Sequence, residues 1–351
     1  MKITSLQTTH LYEIDVARCL LIVLLVAFHA FAIYGGFWYR IEGIDEVRAY
    51  WWLDRVFYAS LLEGFVFISG YVCGYQTKVR GTNWLRSRGF LLRKLKRLGI
   101  PCVLFTVLYI VCFGPVPTSA TDWAMALISG RGHLWFLPML FWCFLALWIS
   151  ERLRISPAVM LPLALTAALL SYPILPFQMS NAQFYFLFFY CGYALQRYRS
   201  HLLNGCYSLS KVLLLGLLFA GAFIGGTLLQ SCFDEVRNSE QLWQRVQALL
   251  ILRSSTIVYA CLGLLFVGCA IGMYNQKSHT GHPAWLQKMG ELCFAVYLLQ
   301  EFILLGLYQH TPLPQIAGTY WLPWVGFLIT MAVALPMVWL MRSTRIGQRY
   351  L

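Results

Sequence analysis

Three ionisable side chains stand in a stretch whose other residues are apolar enough for lipid. The phrase IDVARCLLIVLLVAFHA carries Asp15, Arg18 and His29. At about 100° per residue, Arg18 and His29 return to within roughly 20° of one helical face, with Asp15 within roughly 60° of both. The rise of about 1.5 Å per residue separates Arg18 from His29 by roughly 16 Å along the axis. A charge inside a span costs roughly 2.5–3.5 kcal/mol on insertion scales, so each one asks for a function. Asp15 and Arg18 have a plainer reading as an i,i+3 ion pair that anchors the helix end. His29 has no such reading. An imidazole does not help insertion, and it titrates near neutral pH, which suits a general base.

Further candidates lie downstream. Glu63 sits in ASLLEGFVFISGYVCGYQ, on a stripe with Phe67, Gly70 and Gly74 whose small residues admit a close neighbouring helix. The plainer reading is a buried carboxyl, protonated or paired with an arginine. Ser69 is expected to bond back to its own helix rather than act as a nucleophile. The segment LLRKLKRLGIP gathers Arg93, Lys94, Lys96 and Arg97, a cationic group suited to phosphates or, more plainly, to topogenic charge. GHLWFLPML holds His133 and Trp135 at a span entrance, where amphipathic rings are expected in any case. His279 and His282 have no clustered partners and are read as a loop without metal. The eleven cysteines are scattered and read as small buried hydrophobes.

These residues need membrane helices to hold them. Charged residues are only 12% of the 351-residue chain and hydrophobic ones 59%, whereas a soluble domain carries about 25% charge. Apolar stretches predict an all-α polytopic protein, one membrane-embedded domain over 1–351. It has about ten spans, near 12–35, 51–76, 92–114, 134–150, 157–172, 181–197, 211–230, 254–272, 290–308 and 320–341. The fifth and sixth are short and broken by Pro162, Pro173 and Pro176. The formal charge of +13 is concentrated at span ends, above all from Lys78 to Arg97. That asymmetry predicts cytoplasmic termini and a cytoplasmic 77–91 loop, and it excludes nucleic acid as the partner. The length of the first span and its charges favour an uncleaved anchor over a signal peptide. Intramembrane Asp, Glu and His also fit a proton-coupled transporter or flippase, but no matched halves of a carrier are visible. A scaffold without chemistry leaves Arg18, His29 and Glu63 unexplained.

The chain resembles the membrane-bound acyltransferase family 3, which includes bacterial glycan O-acetyltransferases. The likeness rests on the spacing of Arg18 and His29, on EGFVFISGYVCGY, on LLRKLKRLGIP, on GHLWFLPML and on FAVYLLQEF. Lys94 replaces an arginine of the family's basic phrase and loses its bidentate geometry. Gln300 stands where the late phrase commonly has histidine, so no titrating duty is expected of it. The resemblance implies cytoplasmic acyl-CoA, chiefly acetyl-CoA, as a co-substrate that is not tightly bound. It also implies a carbohydrate or glycolipid hydroxyl as acceptor, in a bacterial inner membrane. Arg93, Lys94 and Arg97 would hold donor phosphates, Arg18 and Asp15 would order the donor channel, and Glu63 would join the catalytic group. His133, Trp135 and Tyr297 would line the acceptor side. His29 would deprotonate the acceptor hydroxyl or briefly accept the acyl group.

Overall fold

A computed structural model describes residues 11–172, 175–198, 208–237, 241–277, 283–344 and 347. In chain order the helices are α1 (Tyr12–Gly35), α2 (Arg48–Tyr58), α3 (Leu61–Arg80), α4 (Thr82–Arg86), α5 (Arg88–Phe113) and α6 (Ala120–Ser129). A 3₁₀ turn, Gly132–Trp135, leads into α7 (Phe136–Arg152). The remainder are α8 (Pro157–Leu169), α9 (Met179–Tyr198), α10 (Leu209–Arg237), α11 (Leu242–Lys277), α12 (Ala284–His310) and α13 (Leu313–Ser343). No strand occurs among the described residues. Eight segments in this set are long and apolar enough to cross a membrane. The chain is an all-α polytopic membrane protein. The two weakest sequence-predicted spans correspond to α8, at 13 residues, and to α9, whose aromatic run is flanked by polar residues.

The chain divides into two compact units. Of the described residues, one holds those of 62–96 and 139–277, and the other those of 14–61, 97–138 and 283–344. In the first unit α10 packs on α11 and α8 on α9. The stripe of small residues on α3 works as its spacing predicts. Gly70 lies directly against the Phe189 carbonyl, Gly192 against that of Phe67, and Gly74 beside Tyr193, so α3 and α9 touch backbone to backbone. Ser69 donates to the Phe65 carbonyl at 2.8 Å, the expected back-bond.

In the second unit α12 packs on α13. A core of Ala30, Phe31, Ile33 and Tyr34 from α1 meets Leu304 and Tyr308 of α12 and Leu322 of α13. α1 ends at Gly36, whose φ of 79° permits the left-handed turn that closes a helix. The Phe37 N–H then donates to the Ala32 carbonyl at 3.2 Å, and that of Trp38 does so at 3.3 Å. The chain therefore doubles back along the last turns of α1. Beyond it, the loop to α2 is tied to α13. The Tyr34 hydroxyl donates to the Thr319 carbonyl, and the Asp45 N–H donates to Thr319 Oγ1 at 3.1 Å. Tyr50 bonds the Tyr320 carbonyl at 2.8 Å. α13 is broken at Gly318, with φ 65° and ψ 179°, and carries Pro323 four residues beyond Thr319. Proline has no N–H, so the Thr319 carbonyl lacks its helical donor and is open to Tyr34.

Candidate active site

α12 presents Tyr297 and Glu301 one turn apart, on the same face. Together they clamp the backbone of the 3₁₀ turn. The Tyr297 hydroxyl donates to the His133 carbonyl at 2.7 Å, and the His133 N–H donates to Glu301 Oε2 at 3.2 Å. Only glycine fits at 132, where φ is 53° and a Cβ would lie 2.6 Å from Glu301 Oε1 and as close to the Tyr109 ring. The same carboxylate oxygen faces the His133 side chain, with Nδ1 at 2.9 Å. Both His133 ring nitrogens are buried, and among the described residues neither has a hydrogen-bond partner of good geometry.

α1 delivers the third member. His29 Nδ1 donates to the Gln300 Oε1 amide oxygen at 3.0 Å. His29 Nε2 stands 3.4 Å from Glu301 Oε2. In the neutral ring, with the amide oxygen as acceptor, Nδ1 carries the proton and Nε2 the lone pair. The 3.4 Å separation is longer than a normal hydrogen bond, so Nε2 is not engaged by the carboxylate. The two imidazole rings lie 6.2 Å apart, on either side of one carboxyl group. His29 is 6% exposed, His133 7%, Glu301 2% and Gln300 0%. Among the described residues the ion-pair partners of Glu301 are these two imidazoles, with no lysine or arginine. A carboxylate shared by two titratable rings can accept and return protons where one locked to a guanidinium cannot.

Of the sequence-predicted residues, the structure brings together His29, His133 and Tyr297. Trp135 lies half-buried at the end of the 3₁₀ turn. Asp15 and Arg18 form the i,i+3 pair at 3.8 Å, near the opposite end of α1 from His29, with Asp15 packed against Gly290. Glu63 is buried in the other unit, and no ion pair is found for it among the described residues. The basic phrase is divided. Arg93 lies over the Trp84 ring at 5.7 Å, and the Lys94 ammonium is 4.0 Å from the Phe144 ring centre, all in the first unit. Arg97 belongs to the second unit, is exposed, and lies within electrostatic reach of Arg18 and Arg342. His279 and His282 fall outside the described residues.

Sequence reasoning missed Glu301, although the rule that singled out Glu63 applies equally to a carboxylate inside FAVYLLQEFILL. It also set Gln300 aside because an amide cannot titrate. The structure gives that amide a different part, as acceptor for the His29 Nδ1–H.

A family model described as an acyltransferase domain matches residues 11–343. Comparison with curated proteins and with solved structures returns no match.

Proposed function

Because the chain belongs to the membrane-bound acyltransferase family 3, we propose that it transfers an acyl group, acetyl in the first instance, from cytoplasmic acyl-CoA to a carbohydrate hydroxyl at the cell surface or on a lipid carrier. The bacterial inner membrane is the setting this reading requires. The observation that supports it is the buried Glu301 carboxylate facing both His29 and His133.

In this reading His29 Nε2 removes the acceptor's hydroxyl proton. The oxygen attacks the thioester carbonyl carbon, the carbon–sulfur bond breaks, and the proton passes from the imidazolium to the departing thiolate. The histidine ends as it began. Gln300 holds the tautomer by accepting from Nδ1, and Glu301 stabilises the imidazolium while it exists. His133 shares the charge of Glu301 and keeps the carboxylate from swinging away. Donor phosphates are assigned to Arg97 and Arg18, whose guanidiniums suit phosphate oxygens.

The test is transfer of labelled acyl groups from acyl-CoA to glycan in isolated membranes, normalised to protein level. His29→Ala is expected to lower turnover by at least about 10²-fold, the low end of general-base catalysis. A well-expressed variant that keeps more than about a tenth of wild-type turnover rules out that role. Loss of an acyl mass from surface glycans of a deletion strain identifies the acceptor.

A further inference from the structure

Trp38 has no place in the reaction described above, yet it lies against the reacting ring. Its indole stacks on the His29 imidazole, with ring centres 5.7 Å apart and planes 14° from parallel. This is an offset stack within the range of attractive aromatic pairs. The indole is itself braced edge-on by Tyr308, at 6.2 Å and 78°. The Tyr308 hydroxyl is fixed on the Ala30 carbonyl at 3.0 Å, one residue from His29.

The helix end produces this contact. The left-handed residue at Gly36 folds the next residues back along α1, so consecutive aromatics meet consecutive rings. Phe37 meets Phe28 edge-on at 5.2 Å, while Trp38 stacks on His29. Gln300 holds Nδ1, while Nε2 stands beyond normal hydrogen-bond distance of Glu301, so one bond alone does not fix rotation of the ring about Cβ–Cγ. A plane stacked on the ring face does. The same indole covers one face of the His29 ring.

We propose that Trp38 is a positioning residue that sets the plane of the His29 imidazole and shields it from water, so that the acyl group passes to the acceptor rather than to water. The competing reaction is hydrolysis. Water adds to the thioester carbonyl, the carbon–sulfur bond breaks, and the products are a carboxylic acid and a free thiol. The proposal deepens the acyltransferase reading and rests on it for the activity measurement alone.

Two measurements on the full-length protein in membranes test it. The first follows labelled acyl-CoA into glycan ester and free acid. Trp38→Ala is expected to lower transfer by roughly 10-fold or more, as misplaced catalytic groups do, and to raise the share of acyl released as acid. Trp38→Phe keeps a flat ring and is expected to recover most of both. The second reads His29 modification by diethyl pyrocarbonate, using peptide mass spectrometry, and needs no activity. Slow modification in the wild type and Trp38→Phe, with several-fold faster modification in Trp38→Ala, supports the shield. Equal modification in all three proteins overturns it, whatever the reaction. Faster modification in Trp38→Ala with an unchanged ratio of acid to ester overturns the water-exclusion role. If the wild type shows no acyl transfer while the modification pattern holds, the reading of the reaction fails and the stacking role stands.

Discussion

Each unit contains a glutamate held by other side chains, and the two are built differently. In the first, Glu151 accepts from the Tyr193 hydroxyl at 2.7 Å and faces Arg86 Nη2 at 3.6 Å. The Trp148 indole N–H bonds the Arg86 carbonyl at 3.1 Å, which fixes the segment that supplies the charge. A guanidinium is always protonated, so Arg86 faces Glu151 with a fixed charge. In the second, Glu301 faces two imidazoles, the Tyr109 hydroxyl and a backbone N–H. Buried charge of the first kind holds helices together. Charge of the second kind sets a buried carboxylate beside imidazoles, the pairing that acid–base chemistry uses.

Substitution separates the two directly. The largest effect is expected from Glu301→Gln, which keeps the shape and removes the charge facing both rings. Turnover should fall by about 10²-fold with expression intact, comparable to losing a preorganised electrostatic partner. Little change would make Glu301 the equal of Glu151. Gln300→Ala should cost less, roughly 10-fold, since His29 remains but its tautomer is no longer held. Gln300→Glu should recover activity, because a carboxylate also accepts from Nδ1–H; failure to recover would show that the acceptor at this position is not what matters. Third, Arg97→Ala should weaken acyl-CoA binding and flatten its salt dependence, while Lys94→Ala should scarcely change either, because the Lys94 charge is already directed at Phe144. Equal losses in donor titrations would reunite the basic phrase. The smallest change in turnover is expected for Glu151→Gln. It should leave kcat near the wild-type value and cost about 1–3 kcal/mol of stability, the usual range for a buried polar partner left unsatisfied. A lower thermal midpoint with intact transfer is the matching observation, and lost transfer in a well-folded protein would contradict the contrast.

What the sequence made readable was periodic. Hydrophobic runs with few charges announced the membrane helices, and the spacing of small residues on α3 announced a close neighbour, which proved to be α9. His29 stood out because its helix gives imidazole no structural use. What escaped was long-range. His29 and Gln300 are separated by 271 positions, and His133 and Glu301 by 168. No local pattern shows that α12 carries their partners. Chemical type also misled, since a non-titrating glutamine drew attention away from the carboxylate beside it. The orientation of Lys94 toward Phe144 depends on where α7 packs, which helical spacing in α5 cannot state. The fifth and sixth segments gave weak signals for a physical reason. α8 is short, and Pro162 lies inside it, while α9 is largely buried among other helices rather than facing lipid.

The break in α13 settles where the loop that carries Trp38 gets its shape. A continuous helix would use the Thr319 carbonyl internally, but Pro323 has no N–H to give it, and the Tyr34 hydroxyl donates instead. The loop between α1 and α2 is thereby specified by a helix nearly three hundred positions away, as well as by its own residues. For protein engineering this makes residues 34–50 and 318–324 one inheritable piece. A chimera that exchanges the loop for a relative's must bring the glycine, the threonine and the proline with it, or Tyr34, Asp45 and Tyr50 arrive without their acceptors.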